Sequence, residues 1–318
     1  MLLNRISKPA AVDSPDTDAS MHRCLPARYR NLRLHPLDML CLGYISTIVL
    51  LIVIFQANLA GWYRHVILHT AAAVIILELV RAAREYDLPL LGIIRTAYPI
   101  LGFGFAWLEL DRLFTLIFPF YGTDIIIAWD KALFGVHPTL WAERIFTLPV
   151  TELMNFFYAV YFLFLPAGTL LIYRRKGQTA ALNFLFIVFS CYFSVFLFSL
   201  LFPVEGAWTS LAHLHTVEPD GGLFLTLNRW IQSNGSVKGG AFPSVHVTGA
   251  VAIGIASLSY QKRYGIIVLF LSAGVAVSTV YCRYHHGLDA AAGILWALAV
   301  SAAAHALLKS RDKYGTSP

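Results

Sequence analysis

Two histidines and an aspartate in the C-terminal third of the chain have a spacing that suits phosphate chemistry. His246 opens one apolar run, whereas His285 and Asp289 lie four residues apart at the start of another. Residues four apart share one face of a helix, so the carboxylate can accept a proton from one nitrogen of the His285 imidazole. The other nitrogen is then free to attack, and the pattern predicts the oriented nucleophile of a phosphate-ester site.

The apolar runs that flank these histidines are expected to bring them together. Runs 247–258 and 266–280 are joined by a short basic turn. As helices they are roughly 22 to 27 Å long, which suits an antiparallel hairpin across a membrane. The start of the first helix then lies beside the end of the second, and the pattern predicts that His246 and His285 meet at one membrane surface.

Ser244 adds a candidate cradle for an anion. It follows Pro243 and directly precedes the first helix of the hairpin. A Pro-Ser start places the hydroxyl at the N-cap, beside backbone N–H groups that have no partner within the helix. Helix N-termini attract phosphate through these donors and through the helix dipole. The predicted site therefore combines an anion cradle, a nucleophile and a second histidine that can protonate a leaving oxygen.

The same residues resemble the two C-terminal motifs of the type 2 phosphatidic acid phosphatase (PAP2) superfamily. The family pattern is Pro-Ser-x-His, followed later by Ser-Arg, five residues, His, three residues and Asp. Residues 243–246 and 278–289 fit that spacing without a gap, and the resemblance covers roughly residues 95–308. It implies four roles: nucleophile for His285, its partner for Asp289, general acid for His246 and phosphate ligand for Ser244.

Two departures from the family pattern guide the choice of substrate. Thr279 stands where the second motif has an arginine, and the Arg-Pro dipeptide of the family's first motif occurs nowhere in the chain. Arg283 and Lys238 are the candidate replacements as phosphate ligands. A diester carries less charge than a monoester, so the missing arginine favours transferase chemistry. The pattern resembles the branch that contains inositol phosphorylceramide synthase, as do the weaker upstream runs 129–138 and 158–166.

The functional prediction is a two-step transfer through a phosphohistidine, without a metal or another cofactor. The substrates are expected to be lipids, and the group transferred an inositol phosphate-like head group. With water as the acceptor, the protein is instead a phosphatase of lipid phosphate monoesters such as phosphatidic acid or a polyprenyl phosphate. A transporter is the alternative from another class, but transporters more often carry their polar groups at mid-membrane, whereas these cluster at one surface.

The composition is that of a polytopic membrane protein. The chain has 318 residues, of which 58% are hydrophobic, and a mean hydropathy of +0.64. A soluble domain is less apolar, so we expect an all-α membrane bundle of about six to eight transmembrane helices with a PAP2-like core. The expected divisions are a cytoplasmic segment 1–36, N-terminal membrane helices 37–94, a catalytic membrane domain 95–308 and a cytoplasmic tail 309–318.

Clusters of basic residues predict the orientation in the membrane. They follow three of the apolar runs, at 174–176, 262–263 and 309–313. If all three are cytoplasmic, the chain crosses the membrane eight times, segment 121–150 lies outside, and both histidine motifs face the extracytoplasmic side. Orientation also accounts for the net charge of +6. Nucleic-acid binding is not expected, because no basic face with interleaved aromatics occurs.

His65 and His69 are two further histidines, and their spacing places them on one face of a helix. They lie four residues apart on the second apolar run, which suits a zinc pair, but no third ligand or glutamate motif accompanies them. The four cysteines are scattered and give neither a metal spacing nor a disulfide framework. The pair is therefore expected to serve packing or to lie at the membrane interface, and no metal site is predicted.

Overall fold

The computed structural model describes residues 32–86 and 88–313, most of which fold as helix. Within these ranges the β-type pairing is limited to one bridge, between Val204 and Gly240. The predicted all-α fold is confirmed. Most of the predicted segment 1–36 and the end of the predicted tail 309–318 lie outside the described residues.

Three helices form the N-terminal part of the described chain: α1 (Pro36–Ile54), α2 (Trp62–Glu85) and α3 (Pro89–Leu113). α1 begins with a capping box, in which Asp38 accepts a hydrogen bond from the backbone N–H of His35. Proline occupies the first turn of α1 and of α3, where its missing N–H costs no helical hydrogen bond. The boundary that the sequence predicts between residues 94 and 95 falls inside α3.

The histidine pair of the second apolar run lies on α2 and contacts α3. His65 Nδ1 bonds to the Glu109 carboxylate, and His69 Nδ1 donates to the His65 carbonyl oxygen at 2.8 Å. All three residues are buried. Ionisable groups in a membrane segment are costly unless they pair with one another, so this contact joins the two helices.

Helices of two lengths make up the rest of the chain. Four short ones lie in the connections: α4 (Thr123–Phe134), α5 (Pro138–Ala142), α7 (Ala207–Ser210) and α8 (Leu223–Gly235). Four longer ones follow the predicted apolar runs: α6 (Leu148–Leu201), α9 (Val245–Leu258), α10 (Lys262–Tyr281) and α11 (Gly287–Lys313). Gly177 interrupts α6, because its φ of 83° and ψ of 178° lie outside the helical region. α6 therefore consists of two helical arms.

Six helices of the described ranges are long and apolar enough to cross a membrane: α1, α2, α3, α6, α10 and α11. A single span needs about 20 residues, so each arm of α6 is long enough to cross. α9 is apolar but shorter, with 14 residues. Each of the eight predicted spans coincides with one of these helices or arms, and the protein is an integral multi-pass membrane protein.

α9 and α10 form the predicted antiparallel hairpin, and small residues let the two backbones approach closely. A Cβ atom on Gly265 would lie 2.9 Å from the carbonyl oxygen of Gly254, so a larger residue at that point would separate the helices. The second arm of α6 and helix α11 pack against the hairpin, and part of the shared core is a buried cluster of Cys191, Val247, Val251, Ala252, Ala290 and Ala297. This packing fixes the end of the hairpin that carries the histidines.

Candidate active site

His246 and His285 lie side by side, as the hairpin predicts. His246 is in the first turn of α9, and His285 is in the turn between α10 and α11. The distance between His246 Nδ1 and His285 Nε2 is 3.3 Å. Both residues line a cavity of about 310 Å³, which we call the histidine cavity. The pair thus presents two imidazole nitrogens to one space.

A chain of hydrogen bonds assigns the protons on both rings. Gln232 Nε2 donates to Tyr158 Oη at 2.6 Å, and Tyr158 Oη lies 2.9 Å from His246 Nε2. A tyrosine hydroxyl that accepts from Gln232 can donate its own proton to His246 Nε2, and the neutral ring then carries its proton on Nδ1. His285 Nδ1 donates to the Ala241 carbonyl oxygen at 2.9 Å. His285 Nε2 consequently has a lone pair, toward which His246 Nδ1–H points.

Asp289 is close to His285 but makes its shorter contacts elsewhere. Asp289 Oδ2 lies 3.6 Å from His285 Nδ1, which is within ion-pair range but too long for a good hydrogen bond. The same oxygen accepts from the backbone N–H of His286 at 2.7 Å and lies 3.1 Å from His286 Nδ1. The predicted partner of His285 thus lies within electrostatic range without a short hydrogen bond, and the Ala241 carbonyl fixes the tautomer of His285.

Ser244 caps α9, as the Pro-Ser pattern predicts, and its side chain is fully buried. Its Oγ accepts from the backbone N–H of Val247 at 3.3 Å. Its own backbone N–H donates to the Asp289 carbonyl oxygen at 3.0 Å, which ties the start of α9 to α11. Ser244 does not appear among the described residues that line the histidine cavity.

Arg283 is directed away from the two histidines. Its backbone φ is +64°, a left-handed conformation that residues other than glycine seldom adopt. Its Nη2 donates to Glu143 Oε1 at 2.8 Å and also to the Val217 carbonyl oxygen. The guanidinium therefore joins the turn after α10 to two other segments. Arg283 lines a neighbouring pocket, and it is not among the described residues that line the histidine cavity.

Glu143 is the carboxylate that receives Arg283. Thr216 Oγ1 donates to Glu143 Oε2 at 2.8 Å, and His215 Nδ1 lies 3.0 Å from Oε1. Burial on its own raises the pKa of Glu143, but the hydrogen bonds from Thr216 and His215 and the charge of Arg283 outweigh it and lower that pKa. The ionised form is thus the one that this cluster stabilises.

Lys238 is exposed and contacts its surroundings through the backbone. Its N–H donates to Asp111 Oδ1 at 2.9 Å, which fixes the segment before α9 against the end of α3. Gly240, two residues on, lines the histidine cavity, whereas Lys238 is not among the described lining residues. The structure thus brings together His246, His285 and Asp289, and it separates Arg283 and Lys238 from their cavity.

The histidine cavity has aromatic walls and adjoins two further spaces. Trp107, Tyr158, Trp208 and Tyr284 are among its lining residues. An apolar slot of about 190 Å³ shares Trp107 and His246 with it. A polar pocket of about 620 Å³ shares Trp208 and Tyr284 with it. His246 thus contacts the apolar slot directly, and the cavity that holds both imidazoles adjoins a pocket with several polar side chains.

The groups that set the protonation of the two rings were not predicted from the sequence. Tyr158 lies on the first arm of α6, within an apolar run where a tyrosine is typical of packing. Gln232 lies on α8, in a connection whose contacts no spacing rule provides. The Ala241 acceptor is a backbone carbonyl, so its side chain carries no signal. For Tyr158, the run 158–166, which resembles the family branch, was the available indication.

Comparison with known proteins agrees with the geometry. The family model of the PAP2 superfamily matches residues 124–303, which is more than half of the chain. A PA-phosphatase related-family protein from Dictyostelium discoideum is 30% identical over 105 residues, which are 31% of this chain and 19% of that protein. The chain thus matches less than a fifth of this relative's length. No solved structure matches the chain. The family match contains both histidine motifs, and the chain belongs to the PAP2 superfamily.

Proposed function

We propose that the protein transfers a phosphate-bearing head group between lipids through a phosphohistidine on His285. The observation that supports this proposal best is the contact of the two rings: His246 Nδ1 and His285 Nε2 lie 3.3 Å apart, and the Ala241 carbonyl contacts the other nitrogen of His285. The tautomers inferred from these contacts leave a lone pair on His285 Nε2 for attack and a proton on His246 Nδ1 for the leaving oxygen. Membership of the PAP2 superfamily supports phosphate-ester chemistry on lipids.

The bound donor prepares the general acid. A phosphate anion between the rings favours a second proton on His246, because the positive ring then faces a negative ester. Tyr158 Oη lies 2.9 Å from His246 Nε2 and can accept from Nε2–H, since a hydroxyl both donates and accepts. Before the donor binds, Nδ1–H of this ring faces His285 Nε2. With the donor bound, the doubly protonated ring donates from Nδ1 to the ester oxygen instead.

In the first step, His285 Nε2 attacks the phosphorus and forms the P–N bond. The P–O bond to the departing lipid breaks, and the leaving oxygen takes the proton from His246 Nδ1. The His285 ring becomes positively charged, and two groups stabilise it: the Ala241 carbonyl at 2.9 Å and the Asp289 carboxylate at 3.6 Å from Nδ1. The products are a lipid with a free hydroxyl and the head-group phosphate on His285.

In the second step, an acceptor hydroxyl replaces the departed lipid. His246 Nδ1, now without its proton, takes the proton of that hydroxyl while the acceptor oxygen attacks the phosphorus. The P–N bond breaks and returns the lone pair to His285 Nε2. Each bond broken in the first step has its counterpart formed in the second, so the two rings end as they began.

The charge of the histidine cavity supports a diester donor. Its described lining residues include neither lysine nor arginine. A phosphate monoester carries about two negative charges near neutral pH, whereas a diester carries one, and phosphoryl transfer depends on neutralising that charge. Ionised His246 alone is enough to balance a diester. Arg283 and Lys238, as the candidates from the sequence, would have to act from outside the cavity.

The adjoining spaces suit a lipid with a polar head group. The apolar slot is lined by side chains such as Ile100 and Leu165, which can receive a hydrocarbon chain. The polar pocket contains Asn155, Glu218 and Arg229, which can pair with the hydroxyls of an inositol phosphate-like group. The same pocket admits water, so hydrolysis of a lipid phosphate monoester is the alternative reaction of the same pair.

The proposed site faces the extracytoplasmic side. Arg175, Lys176, Lys262 and Arg263 line one groove at the end of the α9–α10 hairpin that lies opposite the histidines. Basic clusters favour the cytoplasmic side of a membrane, so the other end of the hairpin faces outward. A cluster of catalytic groups at one surface also favours an enzyme over a transporter, whose polar groups are more typical of mid-membrane.

The test uses purified full-length protein in detergent with two donors, an inositol phosphodiester lipid and a lipid phosphate monoester. Each is assayed with and without a ceramide or diacylglycerol acceptor. A head group that moves to the acceptor, with little free phosphate, supports the transferase, and free phosphate from the monoester supports the phosphatase. His285→Ala should abolish either activity, whereas His305→Ala is the matched control, because His305 bonds to Ser259 at the opposite end of the hairpin. Wild-type protein that turns over neither donor contradicts the proposal.

A further inference from the structure

We infer that His286 is a positively charged positioning residue that balances Asp289 and ties it to the cover of the histidine cavity. The catalytic consequence rests on the proposed function, whereas the charge of His286 can be measured without any turnover. His286 and Asp289 are both fully buried, and neither belongs to the described lining of the cavity. His286 therefore acts through its neighbours and not on the substrate.

Both ring nitrogens of His286 have partners that accept protons. Nδ1 lies 3.1 Å from Asp289 Oδ2, and Nε2 lies 3.1 Å from Ser210 Oγ. The Ser210 hydroxyl also lies 3.1 Å from the Gly206 carbonyl oxygen, and when it donates there it accepts from His286 Nε2–H. A ring that donates from both nitrogens is an imidazolium.

The charges around His286 favour this ionised form. The ionisable groups near His286 are Asp289 on α11, Asp130 on α4, His137 directly before α5, and His285, which precedes His286 in the chain. Asp130 Oδ1 accepts from the Leu288 backbone N–H at 2.7 Å. The other oxygens of both aspartates, Asp130 Oδ2 and Asp289 Oδ1, are buried without a hydrogen-bond partner.

Buried carboxylates with incomplete hydrogen bonding need a nearby positive charge. Burial on its own lowers the pKa of His286, but the hydrogen bond to Asp289 and the negative charges of Asp289 and Asp130 outweigh it and raise that pKa. A positive charge on His137 would oppose that of His286, and burial lowers the pKa of His137. Asp289 thus provides a negative group in contact with the imidazolium, and Asp130 a second carboxyl group nearby whose pKa burial raises.

The His286 ring also attaches the cover of the cavity to the turn between α10 and α11, which carries His285. The cover is the segment 206–210, which includes α7, and its residues Gly206 and Trp208 line the histidine cavity. The backbone N–H of Trp208 donates to the Arg283 carbonyl oxygen at 2.6 Å, and Ser210 contacts His286 as described above. His286 therefore holds Asp289 through one nitrogen and the cover through the other.

The charge is tested on full-length protein labelled with ¹⁵N-histidine in detergent micelles. His286→Asn identifies the His286 signals among the 11 histidines by their loss. We expect two protonated ring nitrogens for His286 at pH 7, and a neutral tautomer there overturns the inference. If His286→Asn does not fold, Ser210→Ala identifies the same signals, because the Nε2 signal of His286 shifts when its partner is removed. Deprotonation of that ring should then begin at lower pH than in the wild type.

The positioning role is tested by the dependence of turnover on pH. His286→Asn keeps an N–H donor near Asp289 but removes the positive charge of the imidazolium. The negative charge of Asp289 is then no longer balanced, and it favours the protonated form of His285, which cannot attack. We expect the acidic limb of the profile to move to higher pH, with roughly tenfold lower turnover on that limb and near-normal turnover on the alkaline side. Ser210→Ala should lower turnover severalfold without moving the limb, and His305→Asn should change neither.

An unmoved acidic limb in folded His286→Asn overturns the positioning role. If wild-type protein turns over no lipid, the proposed function fails, and the ¹⁵N measurement still decides the charge of His286.

Discussion

His285 Nδ1 donates to the backbone carbonyl oxygen of Ala241, 2.9 Å away. A backbone acceptor orients the ring regardless of which side chains surround it, because no substitution removes a carbonyl group. The carboxylate of Asp289, at 3.6 Å from the same nitrogen, then contributes charge more than orientation. The sequence assigns both roles to Asp289, whereas in the structure the Ala241 carbonyl fixes the tautomer of His285 and Asp289 contributes the charge.

We predict that Asp289→Asn lowers turnover by about 100-fold, whereas His285→Ala lowers it by a larger factor. The asparagine keeps an oxygen that can accept from the His286 backbone but loses the charge that stabilises the positive ring formed on attack. Turnover and the ¹⁵N signals of His285 are the measurements. Equal losses in the two variants, together with a changed His285 tautomer in Asp289→Asn, would show that the carboxylate sets the tautomer after all.

His246→Ala should separate the two chemical roles of the pair through the choice of leaving group. A general acid contributes about 100- to 10,000-fold when the leaving oxygen is strongly basic. A p-nitrophenyl phosphodiester has a leaving group that needs no proton, so the first step should suffer little in this variant. The burst of p-nitrophenol should therefore survive in His246→Ala and vanish in His285→Ala. Loss of the burst in both variants contradicts the assignment of His246 as the acid.

Tyr158→Phe tests the hydrogen-bond chain that fixes the proton on His246. The phenol oxygen lies 2.9 Å from His246 Nε2 and receives Gln232 at 2.6 Å. Its removal leaves the imidazole free to place its proton on either nitrogen, and we expect about a tenfold loss of turnover. Tyr264→Phe is the matched control, because its hydroxyl donates to the Phe164 backbone far from the histidines. Equal turnover of Tyr158→Phe and wild type would contradict this role.

The sequence predicted the helices and the meeting of the two histidines because both follow from local rules. Hydrophobic run lengths locate the membrane helices, and one short turn between two such runs leaves an antiparallel hairpin as the simplest arrangement. Ser244 as the cap of α9 follows from the Pro-Ser pair in the same way. Each of these features depends on residues close together in the chain.

The contacts of the site could not be predicted because they join distant segments. Tyr158 reaches His246 from another helix, and the Ala241 carbonyl reaches His285 from the loop before α9. For Arg283, the sequence suggests a contact that the fold does not make. Its position two residues before His285 suggests a phosphate ligand, but its guanidinium forms an ion pair at 2.8 Å with Glu143, 140 residues away in the chain. Spacing along the chain indicates where a charge lies, and only the fold decides its partner.

The cluster around Glu143 should make the protein less stable in acid. A lowered native pKa stabilises the fold above the unfolded value of about 4.3, and this stability is lost as pH falls through the lowered native value. We expect Glu143→Gln to melt at a lower temperature than wild type at pH 7 and to show a smaller further decrease below pH about 4. The measurement is the melting temperature in detergent between about pH 3 and 7, a range that includes the glutamate pKa of about 4.3 in the unfolded chain.

Glu218→Gln is the control for this prediction, because Glu218 also faces Arg283, at 3.7 Å, but its side chain is 85% exposed. An exposed pair contributes little to stability, so this variant should follow the wild-type curve. Identical acid dependence of Glu143→Gln and wild type would show that Arg283 does not depend on Glu143 for its place in the fold.

The side of the membrane that the histidines face can be tested with two serines at opposite ends of the hairpin region. Ser233 lies on α8 near the polar pocket, and Ser259 lies directly after α9; both are exposed. In a background without the four natural cysteines, each serine is replaced by cysteine and treated with a membrane-impermeant maleimide on intact cells. Because basic clusters favour the cytoplasm, we expect Ser233→Cys to react at once and Ser259→Cys only after permeabilisation. The reverse order would place the two imidazoles, and with them the proposed transfer reaction, on the cytoplasmic side.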